Sequence, residues 1–255
     1  MIETRTEGET LIVTLNRPRA RNAFTLQMAR DVAAAMDRLD AEPELRVGVI
    51  TGSDGYFCAG QDLAEGGEGV FARSETRGWF GVVGRPPHKP LIAAVEGFAL
   101  AGGCELALAC DLIVCARDAR LGVPEVRSGM VALAGGLVTL PLVLPYATAA
   151  ELALTGDPMT AELAHHHGLI TRLAEPGQAL AEALTLAERI AANPAAAIRH
   201  TTAILRATRA SVEGAGWMLQ ARETSTDELR LTPEFQEGTT AFLEKRQPRW
   251  SDCTV

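Results

Sequence analysis

The chain has 255 residues, enough for one large domain or two small ones, and 47% of them are hydrophobic but only 5% aromatic, which excludes a disordered chain and predicts a core packed from Ala, Leu and Val. A formal net charge of −8, with Lys89 and Lys245 the only lysines, works against general affinity for nucleic acid or anionic membrane surfaces. No run of roughly 20 uncharged apolar residues occurs, and the stretch MIETRTEGETLIV lacks a basic segment followed by an apolar run, so a soluble, cytoplasmic protein is expected.

Residues 10–16, TLIVTLN, predict a strand closed by the turn at Arg17-Pro18. Thr25 stands where a helix N-cap would, and Leu26, Ala29, Val32, Ala33, Met36 and Leu39 recur at helical spacing, so a helix is predicted to about Ala41. Residues 47–51, VGVIT, lack polar alternation and suit a strand covered on both faces. Ser53-Asp54-Gly55 turns the chain into YFCAGQD at 56–62. Alternating strand and helix gives an α/β architecture with right-handed crossovers. Residues 64–90, with Gly66, Gly67, Gly69 and Arg85-Pro86-Pro87, are the least regular part and predict a loop or short helix near a pocket entrance.

Strands follow at 91–95 and 112–116, with a helix between them from near Gly102 to about Asp111. From Ala134 the patterning is helical: 137–144 with Pro141 inside, 148–154, 160–166, 178–192, 195–209, 212–228 and 233–245, the last with Phe235 and Phe242 on one side. A sheet-containing core followed by a helical C-terminal portion is expected, with no linker and no internal repeat.

The most apolar stretch, residues 91–129, holds two carboxylates. Glu105 lies among Cys104, Leu106, Ala107 and Leu108, where an unpaired charge costs several kcal/mol. Glu125 follows Pro124, which fixes the backbone ahead of it. The turn at Arg117-Asp118-Ala119 brings the chain back, so the two carboxylates can face one cavity. Convergence would raise at least one pKa and make a general acid and base pair for adding or removing water. The competing reading is two surface or salt-bridged glutamates, with Arg127 a partner for Glu125, and spacing leaves both open.

The loop F-C-A-G and the helix opening A-G-G expose the backbone N–H groups of Ala59 and Gly102, which would form an oxyanion hole if aimed at one point. The competing reading is ordinary turn glycines. His165, His166 and His167 point about 100° apart on a helix and lack a ligand partner at suitable spacing, so no metal is expected there. Cys58, Cys104, Cys110, Cys115 and Cys253 form no C-x-x-C pair and are expected as small buried hydrophobes in a reducing compartment. Asp111 is expected as a helix-end hydrogen-bonding group, while the role of Glu96 stays open.

Taken together, Arg17-Pro18 with Asn22-Ala23, Phe57-Cys58-Ala59-Gly60-Gln61-Asp62, the stretch from Lys89-Pro90 to Asp111, Pro124-Glu125, Leu154-Thr155-Gly156 and Phe242-Leu243-Glu244-Lys245-Arg246 make the chain resemble the crotonase, or enoyl-CoA hydratase and isomerase, superfamily along its whole length. The resemblance implies a crotonase-like ββα spiral core at 1–195 and a helical C-terminal trimerisation region at 196–255, assembling as a homotrimer or a hexamer of two trimers. It implies that the amides of Ala59 and Gly102 hold the thioester carbonyl oxygen of an acyl-CoA, with Ala59, Gly60, Gln61, Asp62 and Gly102 contacting substrate. Glu105 and Glu125 fall on the two glutamates of the hydratases; relatives that isomerise, dehalogenate or hydrolyse commonly lack one or both.

The implied reaction is reversible addition of water across the 2,3 double bond of an enoyl-CoA, with Glu105 activating water for C3 and Glu125 supplying the proton at C2. No metal or redox cofactor is implied, CoA being part of the substrate. The alternatives are an enoyl-CoA isomerase or carnitinyl-CoA dehydratase-like enzyme and, from another class, a non-catalytic RNA-binding or assembly protein, against which the predicted first helix carries no lysine. The chain departs from the pattern at 131–137, VALAGGL, where many hydratases read close to P-G-A-G-G-T-Q, a segment that lines the acyl pocket in the family.

Overall fold

In a computed structural model describing residues 1–67, 69–224 and 232–250, the chain opens with a hairpin of β1 (Ile2–Glu7) and β2 (Thr10–Leu15) turning at Gly8, whose φ is +56°. β1 escapes sequence reading because its residues are mostly exposed and polar on both faces, as suits a charged edge strand. α1 (Leu26–Ala41) starts where Thr25 caps it, the Thr25 hydroxyl accepting from Met28 N at 3.2 Å. β3 (Val47–Gly52) is covered on both sides: Ile50 packs in the cluster that includes α1, while Val47 and Val49 pack with the alanines of a later helix. Residues 64–90, expected as a loop or short helix, form α2 (Leu63–Gly67) and a small meander, β4 (Arg73–Ser74), β5 (Gly78–Trp79) and β6 (Val83–Gly84).

The next part of the chain runs twice from one sheet to another. β7 (Leu91–Val95) leads into β8 (Phe98–Leu100) and then α3 (Gly102–Ala109); β9 (Leu112–Ala116) leads into β10 (Arg120–Gly122) and then the 3-10 turn Pro124–Ser128. The large sheet has the order β1-β2-β3-β7-β9-β12 and is parallel from β2 onward, β12 being Arg172–Ala174. The second sheet has the order β11-β10-β8, with β11 at Met159–Thr160. β8 and β10 are parallel with Leu100 opposite Gly122, so the chain leaves both at the same end. This register brings Glu105 and Glu125 together: one follows Leu100 by a short helix start, the other follows Gly122 by a single turn. Strands this short carry too few residues for a period-2 pattern, which is why sequence reading leaves β8, β10, β11 and β12 unassigned.

The C-terminal portion is helical as expected: α4 (Gly136–Val143) with Pro141 inside, α5 (Tyr146–Thr155), α6 (Ala161–His166), α7 (Ala179–Ala191), α8 (Ala195–Thr224) and α9 (Pro233–Leu243). α7 buries Ala179, Ala183, Ala187 and Ala191 at four-residue spacing against the large sheet. α8 corrects an expectation, since one helix replaces the predicted pair at 195–209 and 212–228. Ala210 and Ser211 contain neither Pro nor Gly, so nothing interrupts the backbone bonding there; residues 225–228 lie outside the described residues. Among the described residues no helix is long and apolar enough to cross a membrane.

Candidate active site

α3 begins with a strained residue. Ala101 has φ +51° and ψ −130°, a backbone conformation that costs a non-glycine residue about 1–3 kcal/mol, and it makes the sharp change of direction from β8 into the helix. Its N–H is fixed to the Gly122 carbonyl at 2.9 Å. The next residue, Gly102, leaves its N–H without an acceptor among the described residues, at the positive end of the helix dipole. Three glycines permit this approach. A Cβ on Gly102 would lie 2.3 Å from Cζ of Phe80, one on Gly103 would lie 2.3 Å from the Cys58 carbonyl, and Gly60, at φ +100°, sits against Ala101 and the Gly102 nitrogen.

The loop carrying Ala59 is held by the Arg17 to Ala23 segment. Asn22, fully buried, donates to the carbonyls of Ser53 and Tyr56 at 3.0 and 2.8 Å. The Ala59 N–H donates to the Arg21 carbonyl at 3.1 Å, so the two amides expected to act together are not equivalent: Gly102 is unbonded and Ala59 is bonded. Ala59, Gln61 and Gly102 line one cavity, of about 220 Å³, together with both glutamates. Gly60 and Asp62 are not among its lining residues. Asp62 instead pairs with Arg17 at 2.5 Å and accepts from Ala64 N at 2.9 Å; burial raises its pKa, but Arg17 and the amides of Ala64 and Glu65 outweigh that, and its carboxyl is held below the ordinary range.

Glu105 is 3% exposed, and its Oε1 accepts from the N–H groups of Ala134 and Gly136 at 2.8 and 2.9 Å. Burial drives its pKa upward and the two amides oppose the rise. The segment that departs from the common hydratase pattern therefore does two things: Val131, Leu133 and Ala134 line the cavity, and its backbone holds Glu105.

Glu125 is treated differently. Its Oε2 is buried with no hydrogen-bond partner among the described residues, and burial together with the negative charge of Glu105 raises its pKa. The expected alternative, a salt bridge from Arg127, does not occur. Arg127 turns to Asp157 and donates to the Thr155 carbonyl at 2.9 Å, bracing the turn without neutralising Glu125. α9 presses on the same turn, since a Cβ on Gly238 would lie 2.0 Å from the Ser128 carbonyl. Two interacting buried carboxyls, one with an oxygen fixed by two amides of a distant turn and one with only its own backbone amide and an unpartnered Oε2, hold a single proton most easily on the second.

Sequence reading missed most of the apolar wall. Phe71, Trp79 and Phe80 come from the irregular 64–90 region, and Met130 follows the turn of Glu125. Phe235 and Phe242, correctly placed on one side of the last helix, line the cavity with Thr239. Their spacing is a usable signal, whereas the position of the β4–β6 meander is set only by tertiary packing. Among the described residues no lysine or arginine lines the cavity.

The other candidates are structural. Cys58, Cys104, Cys110 and Cys115 are free and buried, and burial raises each thiol, Cys58 and Cys115 to about 12; Cys253 lies outside the described residues. Asp111 accepts from Leu91 N at 2.7 Å and pairs with Arg206, and Glu96 accepts from Gly177 and Ala179 at the start of α7. Among the described residues no three metal-ligand side chains cluster; His165 Nδ1 lies 3.0 Å from the Ile170 carbonyl.

Fold and cavity together define an α/β protein equipped for proton transfer to a largely apolar small molecule. The chain belongs to the enoyl-CoA hydratase/isomerase family, whose model matches residues 5–253. It is 38% identical over 252 residues to enoyl-CoA hydratase EchA19 of Mycobacterium tuberculosis, covering 96% of this chain and 94% of that one. Among solved structures it is similar to enoyl-CoA hydratase EchA1 from Mycobacterium marinum, with 48% identity, 97% of both chains covered and a TM-score of 0.79. It is also similar to carnitinyl-CoA hydratase from Mycobacterium avium, with 37% identity, 98% of both chains covered and a TM-score of 0.90. The fold is that of the crotonase superfamily.

Proposed function

We propose that this protein is an acyl-CoA hydratase or dehydratase that adds water reversibly across the 2,3 double bond of an enoyl-CoA thioester. The observation that carries the reading is the unequal carboxyl pair, Glu105 with Oε1 fixed by two amides and Glu125 with a buried, unpartnered oxygen, on one apolar cavity. The Gly102 N–H receives the thioester carbonyl oxygen, where a helix-start amide stabilises developing enolate charge. The Ala59 N–H joins it by exchanging its bond to the Arg21 carbonyl for one to the substrate. Glu105, the carboxylate better held as an anion, takes the proton of the water that adds at C3. Glu125 delivers its proton to C2, and the proton on Glu105 returns to Glu125 before the next cycle.

The chemistry needs no metal or redox cofactor, and CoA enters as part of the substrate. The largely apolar wall, without a basic side chain among the described residues, fits an uncharged acyl group. The 1–195 segment acts as the catalytic core and 196–255 as the region through which copies assemble into a trimer or a pair of trimers, consistent with exposed Ile204, Leu205, Val212, Met218 and Leu219 along α8. A cytoplasmic setting, without nucleic-acid or membrane partners, accords with the acidic charge.

The test is a turnover screen with short, medium and branched 2-enoyl-CoA thioesters, read by loss of the conjugated-thioester absorbance. Loss with an uncharged acyl group is expected. No loss with any of them contradicts hydration.

A further inference from the structure

One face of α8 follows the segment that holds Glu105. Arg209, Glu213, Gly216, Trp217 and Gln220 recur at three- and four-residue spacing and so share that face. Arg209 donates to Thr139 Oγ1 at 3.1 Å, and Glu213 accepts from the same hydroxyl at 2.9 Å. Gly216 lies against Val138, since a Cβ there would meet its Cγ1 at 3.0 Å. Trp217 lies against Gly135, where a Cβ would come within 2.6 Å of the indole. Gln220 Nε2 donates to the Leu133 carbonyl at 2.7 Å. Moving forward along α8, the contacts step backward along the chain from 139 to 133.

The inner side of the turn at 133–136 is set by buried Ala132 and Ala134, by Val123 and Glu105 against Gly136, and by the Gly135 carbonyl accepting from Val138 N and Thr139 N; α8 covers its outer side. Gly135 adopts φ +102°, a conformation that a glycine enters at little cost and leaves as easily. Both N–H groups that hold Glu105 Oε1 belong to this turn, at Ala134 and Gly136. A support on its outer side adds to these inner contacts in fixing the direction of the two N–H groups, as outer partners do for other preorganised sites.

We propose that Trp217 and Gln220 of α8 are positioning residues for Glu105, acting through the 133–136 turn so that the helical C-terminal portion sets the geometry of the reacting carboxylate. Neither side chain lines the 220 Å³ cavity. The proposal rests on the hydratase reading for its catalytic consequence, although the geometric coupling stands apart from the reaction.

The experiment uses the full chain with Trp217→Ala, Trp217→Phe, Gln220→Met and, as a control on the exposed side of α8, Ser211→Ala. Difference infrared titration of the protonated carboxyl, assigned by Glu105→Gln, reads Glu105 directly and needs no turnover. Loosening the turn weakens the two amide bonds that favour the anion, so the Glu105 midpoint should move to higher pH by on the order of one unit in Trp217→Ala and Gln220→Met. Trp217→Phe and Ser211→Ala should keep the wild-type midpoint. With an enoyl-CoA, kcat should fall roughly ten- to a hundred-fold while KM stays within about threefold.

An unchanged midpoint in folded Trp217→Ala and Gln220→Met overturns the proposal, whatever the rates. If Trp217→Ala does not fold, Gln220→Met, which conserves volume and removes only the donor, decides the matter. A protein that hydrates no enoyl-CoA but shows the shifted midpoints retains the positioning role and loses the hydratase reading.

Discussion

The two segments that carry the carboxylates are built on different terms. Glu105 sits in a buried helix start whose surroundings are organised for it: a strained Ala101, glycines that let the F-C-A-G loop close in, and two amides from a distant turn on one oxygen. Glu125 sits on a 3-10 turn braced from outside, by Arg127 on one side and α9 on the other, while its own carboxyl receives no comparable stabilisation. The contrast accords with the proposed roles. A carboxylate given two N–H donors is the better base in waiting; one denied them beside a negative neighbour is the better proton carrier.

The largest effect should come from removing either half of the contrast. Glu105→Gln and Glu125→Gln should each lower kcat for enoyl-CoA hydration by about 100- to 10,000-fold with the circular dichroism spectrum unchanged. Near-normal turnover in one of them would remove that residue from the reaction and reduce the pair to a single acting carboxylate.

A smaller effect should appear in stability. Folding raises the pKa of Glu125, so the folded chain is the better proton binder between the ordinary carboxylate value and the raised one. The contribution is full below the ordinary value and is lost as pH rises through the raised one. Glu125→Gln should therefore melt close to wild type near about pH 4, and a few degrees above it near about pH 9, an advantage of on the order of 1 kcal/mol or more. A variant that melts below wild type at the higher pH would mean that the carboxylate is stabilised by something other than the contacts described here.

The smallest effect separates the outer brace from the carboxyl itself. Arg127→Ala removes a half-exposed ion pair and a bond to the Thr155 carbonyl, so it should cost about 1 kcal/mol or less in stability. kcat should fall only several-fold, because Pro124 and α9 still hold the turn. A loss as large as that of Glu125→Gln would show that the sequence-based pairing of Arg127 with Glu125 has a functional basis that the observed contacts do not reveal.

Much of the contrast was legible in the sequence, and the reasons for the rest are physical. The α1 boundaries, the strands at 47 and 91, and the helix opening at Gly102 follow from capping, apolar runs and glycines, which act locally. Glu105 could be singled out because a charge among Cys104, Leu106 and Leu108 demands an explanation. What satisfies it could not be seen, since Ala134 and Gly136 are about 30 residues away in the chain. The short strands β8 and β10 stayed hidden because three residues carry no readable period, and their register is what joins the two carboxylates. The pairing of Asp62 stayed hidden for the same reason, since its partner Arg17 lies 45 residues earlier.

The most direct measurement of the central claim, one proton shared by the pair and resident on Glu125, is the protonated-carboxyl infrared band of the unliganded protein at neutral pH. The band should be strong in wild type and markedly weaker in Glu125→Gln, where only Glu105, raised by burial but opposed by two amides, can carry it. A band that survives in Glu125→Gln and disappears in Glu105→Gln would place the proton on Glu105 and contradict the assignment of base and acid.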